Sequence, residues 1–168
     1  MTTVYLVRHG ETEENAMHIL QGHLPGHLKE NGKEQLRLLH KDLEGITFDA
    51  AICSDLQRCV ESLNVLLEDK QLPVLYTKEL RERDWGSFTG RKIESVRNKT
   101  IPSDVETVEC MLSRARSFLA FIKSDYPDKT LLVMSHGLFC RAIQAEYWGK
   151  PMKEIEPMRN ASYRILVL

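Results

Sequence analysis

Two histidine–glycine pairs mark the chemistry this chain can carry. Arg8-His9-Gly10 follows the apolar run Val4–Val7, and Ser135-His136-Gly137 follows the apolar run Thr130–Met134. A neutral imidazole is a competent nucleophile. The arginine beside it stays charged at any working pH, and its fork matches the oxygens of a phosphoryl group. A second arginine, Arg58, ends the stretch Ser54-Asp55-Leu56-Gln57-Arg58 after another short apolar run. Nitrogen attack on phosphorus loads charge onto the equatorial oxygens, and converging cations stabilise it. The phosphorus–nitrogen bond so formed hydrolyses readily, so water can complete a two-step displacement. This route needs no metal and no cofactor, and neither is expected. The other histidines, His18, His23, His27 and His40, lack ligand spacing, since Pro25-Gly26 interrupts the His23–His27 pair.

A leaving alkoxide also needs a proton, supplied by a carboxyl group at the same edge. Three candidates stand close in sequence to the elements above. Glu82 lies in Leu80-Arg81-Glu82-Arg83-Asp84-Trp85-Gly86, where a tryptophan could desolvate it; Glu11 adjoins His9-Gly10; Asp84 is the third. The residue types alone do not choose among them.

Strands must bring these groups to one place. Val4–Val7, Asp49–Cys53, Pro73–Tyr76, Thr130–Met134 and Ser162–Leu168 read as strands. Glu30–Glu44, with Gly45 as a C-terminal cap, Leu56–Asp69, Val105–Ser124 and Leu138–Trp148, closed by Gly149, read as helices. Glu13–Gly26 reads as a long loop beside the candidate site. Alternating strands and helices imply an α/β sandwich with a largely parallel sheet. Parallel strands deliver their C-terminal ends to one edge, which is where such sheets bind ligands.

Composition sets the bounds. At 168 residues, 42% of them hydrophobic and 28% charged, the chain is expected to form one globular domain over residues 1–168. A net charge of −1 argues against a nucleic-acid partner. No apolar run approaches a membrane span, and a strand within three residues of the start argues against a signal peptide. Cys53, Cys59, Cys110 and Cys140 show no Cys-x-x-Cys spacing and are expected to be free thiols, mostly buried. These features suit a cytoplasmic protein. The oligomeric state is left open, a homodimer included.

In order along the chain, Arg8-His9-Gly10-Glu11-Thr12 with Asn15, Gln21-Gly22, Ser54–Arg58, Glu82 before Gly86 and Gly90, Ser135-His136-Gly137 and Asn160-Ala161-Ser162 resemble the histidine phosphatase superfamily, in its phosphoglycerate-mutase-like branch. The resemblance covers nearly the whole chain. It implies a three-layer α/β/α sandwich around a mostly parallel, six-stranded mixed sheet. It also implies His9 as the phosphorylated nucleophile, Arg8, Arg58 and His136 around the phosphate, and Glu82 as acid and base. Asn15 and Gln21 are implied to line the pocket. Gly22, Arg83 and Gly137, from the same motifs, complete the substrate-binding set.

The departures from that pattern separate phosphatase from mutase. Mutases of the branch read Glu-Arg-His-Tyr-Gly where this chain has Glu82-Arg83-Asp84-Trp85-Gly86. Trp85 lacks the tyrosine hydroxyl that meets a substrate carboxylate there, and Asp84 adds a negative charge. The family's Gly-Glu-Ser stands here as Val105-Glu106-Thr107. The segment between Gly90 and the long helix is short, and an open site favours hydrolysis. The spacing is closer to the small phosphatases of the α-ribazole phosphatase kind. The expectation is a metal-independent phosphatase acting on a small phosphorylated metabolite. The alternatives are a phosphoglycerate mutase or a non-catalytic module that binds phosphorylated ligands.

Overall fold

The computed structural model describes residues 1–68 and 70–168. Along the chain run β1 (Thr3–Arg8), α1 (Glu13–Ala16), α2 (Glu30–Asp42), β2 (Ala50–Ser54), α3 (Gln57–Leu67), β3 (Val74–Thr77), α4 (Ile93–Val96), α5 (Val108–Asp125), β4 (Thr130–Ser135), α6 (Gly137–Trp148) and β5 (Tyr163–Val167). The sheet order is β3-β2-β4-β1-β5. β1, β2, β3 and β4 pair in parallel, and β5 runs antiparallel to β1 along the edge.

Why the strands read as continuous apolar runs is visible in their side chains. In β4, Leu131 and Val133 enter one core cluster while Leu132 and Met134 enter the other. In β1, Leu6 faces the first cluster and Val7 the second. A strand covered on both faces must be apolar at successive positions. The first cluster packs the sheet against Phe118 and Ile122 of α5 and Phe139 and Ile143 of α6. The second packs it against Leu36 and Leu39 of α2 and Leu63 and Leu66 of α3. The result is the expected three-layer α/β/α sandwich.

The strand number is a correction. The described residues form five strands, not six. After β3 the chain enters the polar, charged stretch 78–99, which lacks the alternating apolar pattern a further strand needs. Smaller corrections concern helix ends. α2 finishes at Asp42 with Leu43 as its cap, and Gly45 is not among the glycines with positive φ. α3 ends at Leu67, followed by Glu68 at φ 49°; the expected end of that helix, Asp69, lies outside the described residues. α5 starts three residues later than expected, because the Thr107 side chain accepts the Cys110 N–H and caps it. The expected loop Glu13–Gly26 contains α1, held by a capping box between Thr12 and Asn15. All four cysteines are free; Cys53, Cys59 and Cys140 are buried and Cys110 is exposed. Among the described residues no helix is long and apolar enough to cross a membrane.

Candidate active site

Sheet register assembles the site. Arg8 pairs with Ser135 across β1 and β4, so the residues that follow, His9 and His136, leave the sheet side by side. The His9 N–H donates to the Ser135 carbonyl at 3.1 Å, and the two imidazole rings stand 5.2 Å apart at 63°. Both rings are buried. Nδ1 of His9 lies 2.7 Å from the Gly10 carbonyl oxygen. Burial holds the His9 pKa well below the usual histidine value, and the charges of Arg58 and Arg8 lower it further. Burial likewise pushes His136 down, followed by Arg58, His9 and Arg8. Nε2 of His136 sits 2.7 Å from the Ser54 hydroxyl at the end of β2.

The two arginines are aimed by backbone. Arg8 donates from Nη1 to the Met158 carbonyl at 2.6 Å. Arg58, 1% exposed in the first turn of α3, donates to the carbonyls of Gly22 (2.9 Å) and Leu24. The Gly22 backbone lies at φ +51°, a conformation that favours glycine. Nε of Arg8 and Nε of Arg58 are buried N–H donors without an acceptor among the described residues. Gly137 allows Arg8 its place: a Cβ there would stand 3.1 Å from Cζ and 3.2 Å from Nε of Arg8.

Glu82 sits against the start of α6. Its Oε1 accepts the N–H groups of Arg83 (2.9 Å) and Phe139 (3.1 Å), and Oε2 accepts that of Leu138 (3.1 Å). Glu82 thus lines the same cleft of about 240 Å³ as Arg8, His9, Arg58, Asn15, Gln21, Gly22 and Gly137. The rival carboxylates do not. Glu11 turns to the Asn31 amide on α2, at 2.8 Å. Asp84 accepts the Gly86 N–H and borders a larger neighbouring groove of about 530 Å³, which contains none of the two histidines, Arg8, Arg58 or Glu82.

Asn15 and Gln21 are tied to Thr12 as well as to the cleft. Asn15 Oδ1 accepts from the Thr12 N–H (3.1 Å), and Gln21 Oε1 accepts from the Thr12 hydroxyl (3.2 Å). Arg83, expected in the substrate-binding set, is not part of the cleft lining. It donates from Nε to the Glu106 carbonyl at 2.7 Å and covers the Trp85 ring at 4.4 Å. Trp85 itself lines the cleft with Ile19, Leu20, Ile93, Leu138 and Met158, an apolar wall that also carries Arg141.

Ser62 was not marked by the sequence, and Ser54 and Asn160 were marked only as motif residues of the family resemblance. Ser62 accepts the Gly10 N–H at 3.0 Å and donates to the Arg58 carbonyl at 2.6 Å, joining the turn after His9 to α3. Asn160 donates to the His9 carbonyl at 3.2 Å and to Asn15 Oδ1 at 3.3 Å. The spacing of Ser62, four residues after Arg58 and so on the same helix face, is the one signal that could have marked it. Among the described residues no group of three or more His, Cys, Asp or Glu side chains is arranged to hold a metal ion.

Comparison with known proteins identifies the family. The family profile of the histidine phosphatase superfamily (branch 1) matches residues 4–168. The uncharacterized phosphatase PhoE of Bacillus subtilis is 31% identical over 153 residues, covering 89% of this chain and 79% of the relative. The adenosylcobalamin/alpha-ribazole phosphatase of Escherichia coli is 30% identical over 162 residues, covering 88% and 80%. The crystal structure of the alpha-ribazole phosphatase from Shigella flexneri superposes with a TM-score of 0.85 at 26% identity, covering 98% of this chain and 95% of that one. This chain therefore belongs to the histidine phosphatase superfamily, branch 1, and is an enzyme of the phosphomonoesterase class.

Proposed function

We propose that the protein hydrolyses phosphate monoesters of small metabolites in two steps, through a phosphohistidine on His9. The observation that carries this reading is the hydrogen bond between His9 Nδ1 and the Gly10 carbonyl. A carbonyl only accepts, so Nδ1 holds the proton and Nε2 keeps its lone pair. Burial between two guanidinium groups keeps the ring neutral, which is the nucleophilic form.

In the first step Nε2 attacks phosphorus and the bond from phosphorus to the ester oxygen breaks. The leaving oxygen takes a proton from Glu82. Oε1 of Glu82 already accepts two N–H groups and Oε2 only one, which leaves Oε2 the position for that proton. Arg8 and Arg58 flank the phosphoryl oxygens, whose charge their unpartnered buried N–H groups answer, while His136, expected there too, is fully buried against Ser54, 5.2 Å from the His9 ring, and does not line the cleft. In the second step the Glu82 carboxylate takes a proton from water as the water oxygen attacks phosphorus. The phosphorus–nitrogen bond breaks, inorganic phosphate forms, and His9 returns to its neutral state.

Beyond the phosphoryl group the cleft wall is mostly apolar, with Trp85, Leu138 and Met158 on it. That wall fits an alcohol portion with an uncharged face. A panel of phosphorylated metabolites, with alpha-ribazole phosphate included, identifies it. The basic reading is tested by hydrolysis of p-nitrophenyl phosphate in the presence of EDTA. Wild type is expected to turn over, and His9→Ala to be inactive; turnover by His9→Ala overturns the assignment.

A further inference from the structure

Glu82 lies in a stretch without helix or strand, between residues 81 and 85. Its position is therefore set by side chains from elsewhere. Several of those ties meet at one ion pair. Arg114 on α5 binds Glu106 with two parallel bonds, Nη2 to Oε1 at 2.9 Å and Nε to Oε2 at 3.1 Å. The same guanidinium donates from Nη1 to the carbonyls of Glu79 and Arg81, both at 2.8 Å. Glu106 returns along the other side of Glu82. Its Oε1 accepts the Asp84 N–H at 3.2 Å, its carbonyl accepts Arg83 Nε at 2.7 Å, and its own N–H donates to the Asp84 carbonyl at 2.8 Å. The residues before and after Glu82 are thus held by the Arg114 and Glu106 side chains together with the Glu106 backbone, beside the Asp55 carboxylate on Arg81 and the His23 ring, whose Nε2 lies 3.0 Å from the Glu82 carbonyl oxygen.

The pair also touches the other anchor of the Glu82 carboxylate. The Arg114 guanidinium stacks over the Phe139 ring at 3.8 Å from its centre, and the Phe139 N–H is one of the three donors to Glu82. Neither Arg114 nor Glu106 lines the His9 cleft; both border the neighbouring groove. Their side chains are 17% and 15% exposed, so the pair is only partly screened by solvent. A forked, bidentate arginine–carboxylate pair adds geometric definition as well as energy.

We infer that Arg114 and Glu106 are positioning residues for the proton-transfer step, holding Glu82 on the start of α6 without touching substrate. The inference rests on the proposed role of Glu82 as acid and base. Misplacing a catalytic group by about 1 Å costs on the order of a hundredfold in rate. The loss falls on esters whose leaving group needs a proton, because p-nitrophenolate leaves almost unaided.

The test compares kcat for p-nitrophenyl phosphate and for glycerol phosphate in Glu82→Gln, Arg114→Leu, Glu106→Gln and a control. The control is Leu36→Ala, on the buried face of α2 and on the other side of the sheet from Phe139, which lowers stability without loosening the Glu82 segment. Arg114→Leu and Glu106→Gln are expected to lose roughly ten- to a hundredfold on glycerol phosphate and little on p-nitrophenyl phosphate. Leu36→Ala is expected to leave the ratio of the two rates unchanged. Glu106→Gln keeps the side-chain size and an acceptor for Arg114, so it carries the test where Arg114→Leu does not fold. A changed ratio in Glu82→Gln with an unchanged ratio in the Arg114 and Glu106 variants overturns this inference and leaves the role of Glu82 standing. An unchanged ratio in Glu82→Gln itself overturns both.

Discussion

Nδ1 of His9 lies 2.7 Å from the carbonyl oxygen of Gly10, so the residue next to the proposed nucleophile decides which of its nitrogens is free. The rest of the site keeps that ring neutral. Burial is the first cause, and the guanidinium groups of Arg58 and Arg8 act in the same direction. In the proposed mechanism the arginines that receive the phosphoryl group therefore also keep its acceptor unprotonated. The imidazole is nucleophilic only when neutral, so activity that depends on it is present above the folded-state pKa of His9 and lost below it. That pKa is below the ordinary histidine value.

Ring-proton NMR across acid and neutral pH reads this directly. His27, exposed and bound to Glu14, has a raised pKa and is expected to titrate above the ordinary histidine value. His9 and His136 are expected to titrate below it. Arg58→Gln is expected to move His9 upward but not back to the ordinary value, because burial remains. A His9 signal that titrates together with His27 contradicts the neutral-nucleophile account.

Gly137→Ala tests how tightly Arg8 is placed. The φ of Gly137 is not in the left-handed region, so the backbone accepts alanine, but the new Cβ meets Cζ of Arg8 at 3.1 Å. Arg8 must then shift from its bond to the Met158 carbonyl. Losing one charge-assisted hydrogen bond to the anion weakens inhibition by vanadate by about tenfold. Unfolding in urea is expected to change little. Unaltered inhibition would show that Arg8 does not hold the anion.

Ser62→Ala strips the acceptor from the Gly10 N–H, a buried group. An unsatisfied buried donor costs about 1–3 kcal/mol. Stability measured by urea unfolding is expected to fall by that amount. The turn after His9 loosens with it, so turnover of p-nitrophenyl phosphate is expected to fall as well. Full activity at reduced stability would restrict Ser62 to a purely structural role.

The parts of the fold that were legible in the sequence are those where one physical pattern acts alone. Val4–Val7 and Thr130–Met134 are apolar at successive positions because both faces of their strands are covered, and the polar residues that follow them mark the sheet edge. Arg8, His9 and His136 were placed at that edge in this way, and Arg58 by the same reasoning after Ala50–Ser54. The candidates for proton donor were not separable by the same means. Glu11, Glu82 and Asp84 all stand near site elements in the chain, and only the long-range bonds of Glu82 to Leu138 and Phe139 bring it into the cleft. Arg83 was misleading for the same reason: its neighbour in sequence faces the cleft, while its own guanidinium turns to Glu106 and Trp85. The Thr12–Asn15 capping box was a readable helix start, hidden inside a stretch whose Pro and Gly content reads as loop. A sixth strand was expected from family likeness and not from any apolar run in this chain.

The central claim is covalent: the phosphoryl group passes through Nε2 of His9. Rapid acid-free quenching of the enzyme with phosphorus-labelled p-nitrophenyl phosphate, followed by digestion and mass spectrometry, tests it most directly. The account predicts a burst of p-nitrophenol, and a label that is stable in base, labile in acid and confined to the peptide carrying His9. Label on another residue, or its absence in enzyme that releases the burst, contradicts it.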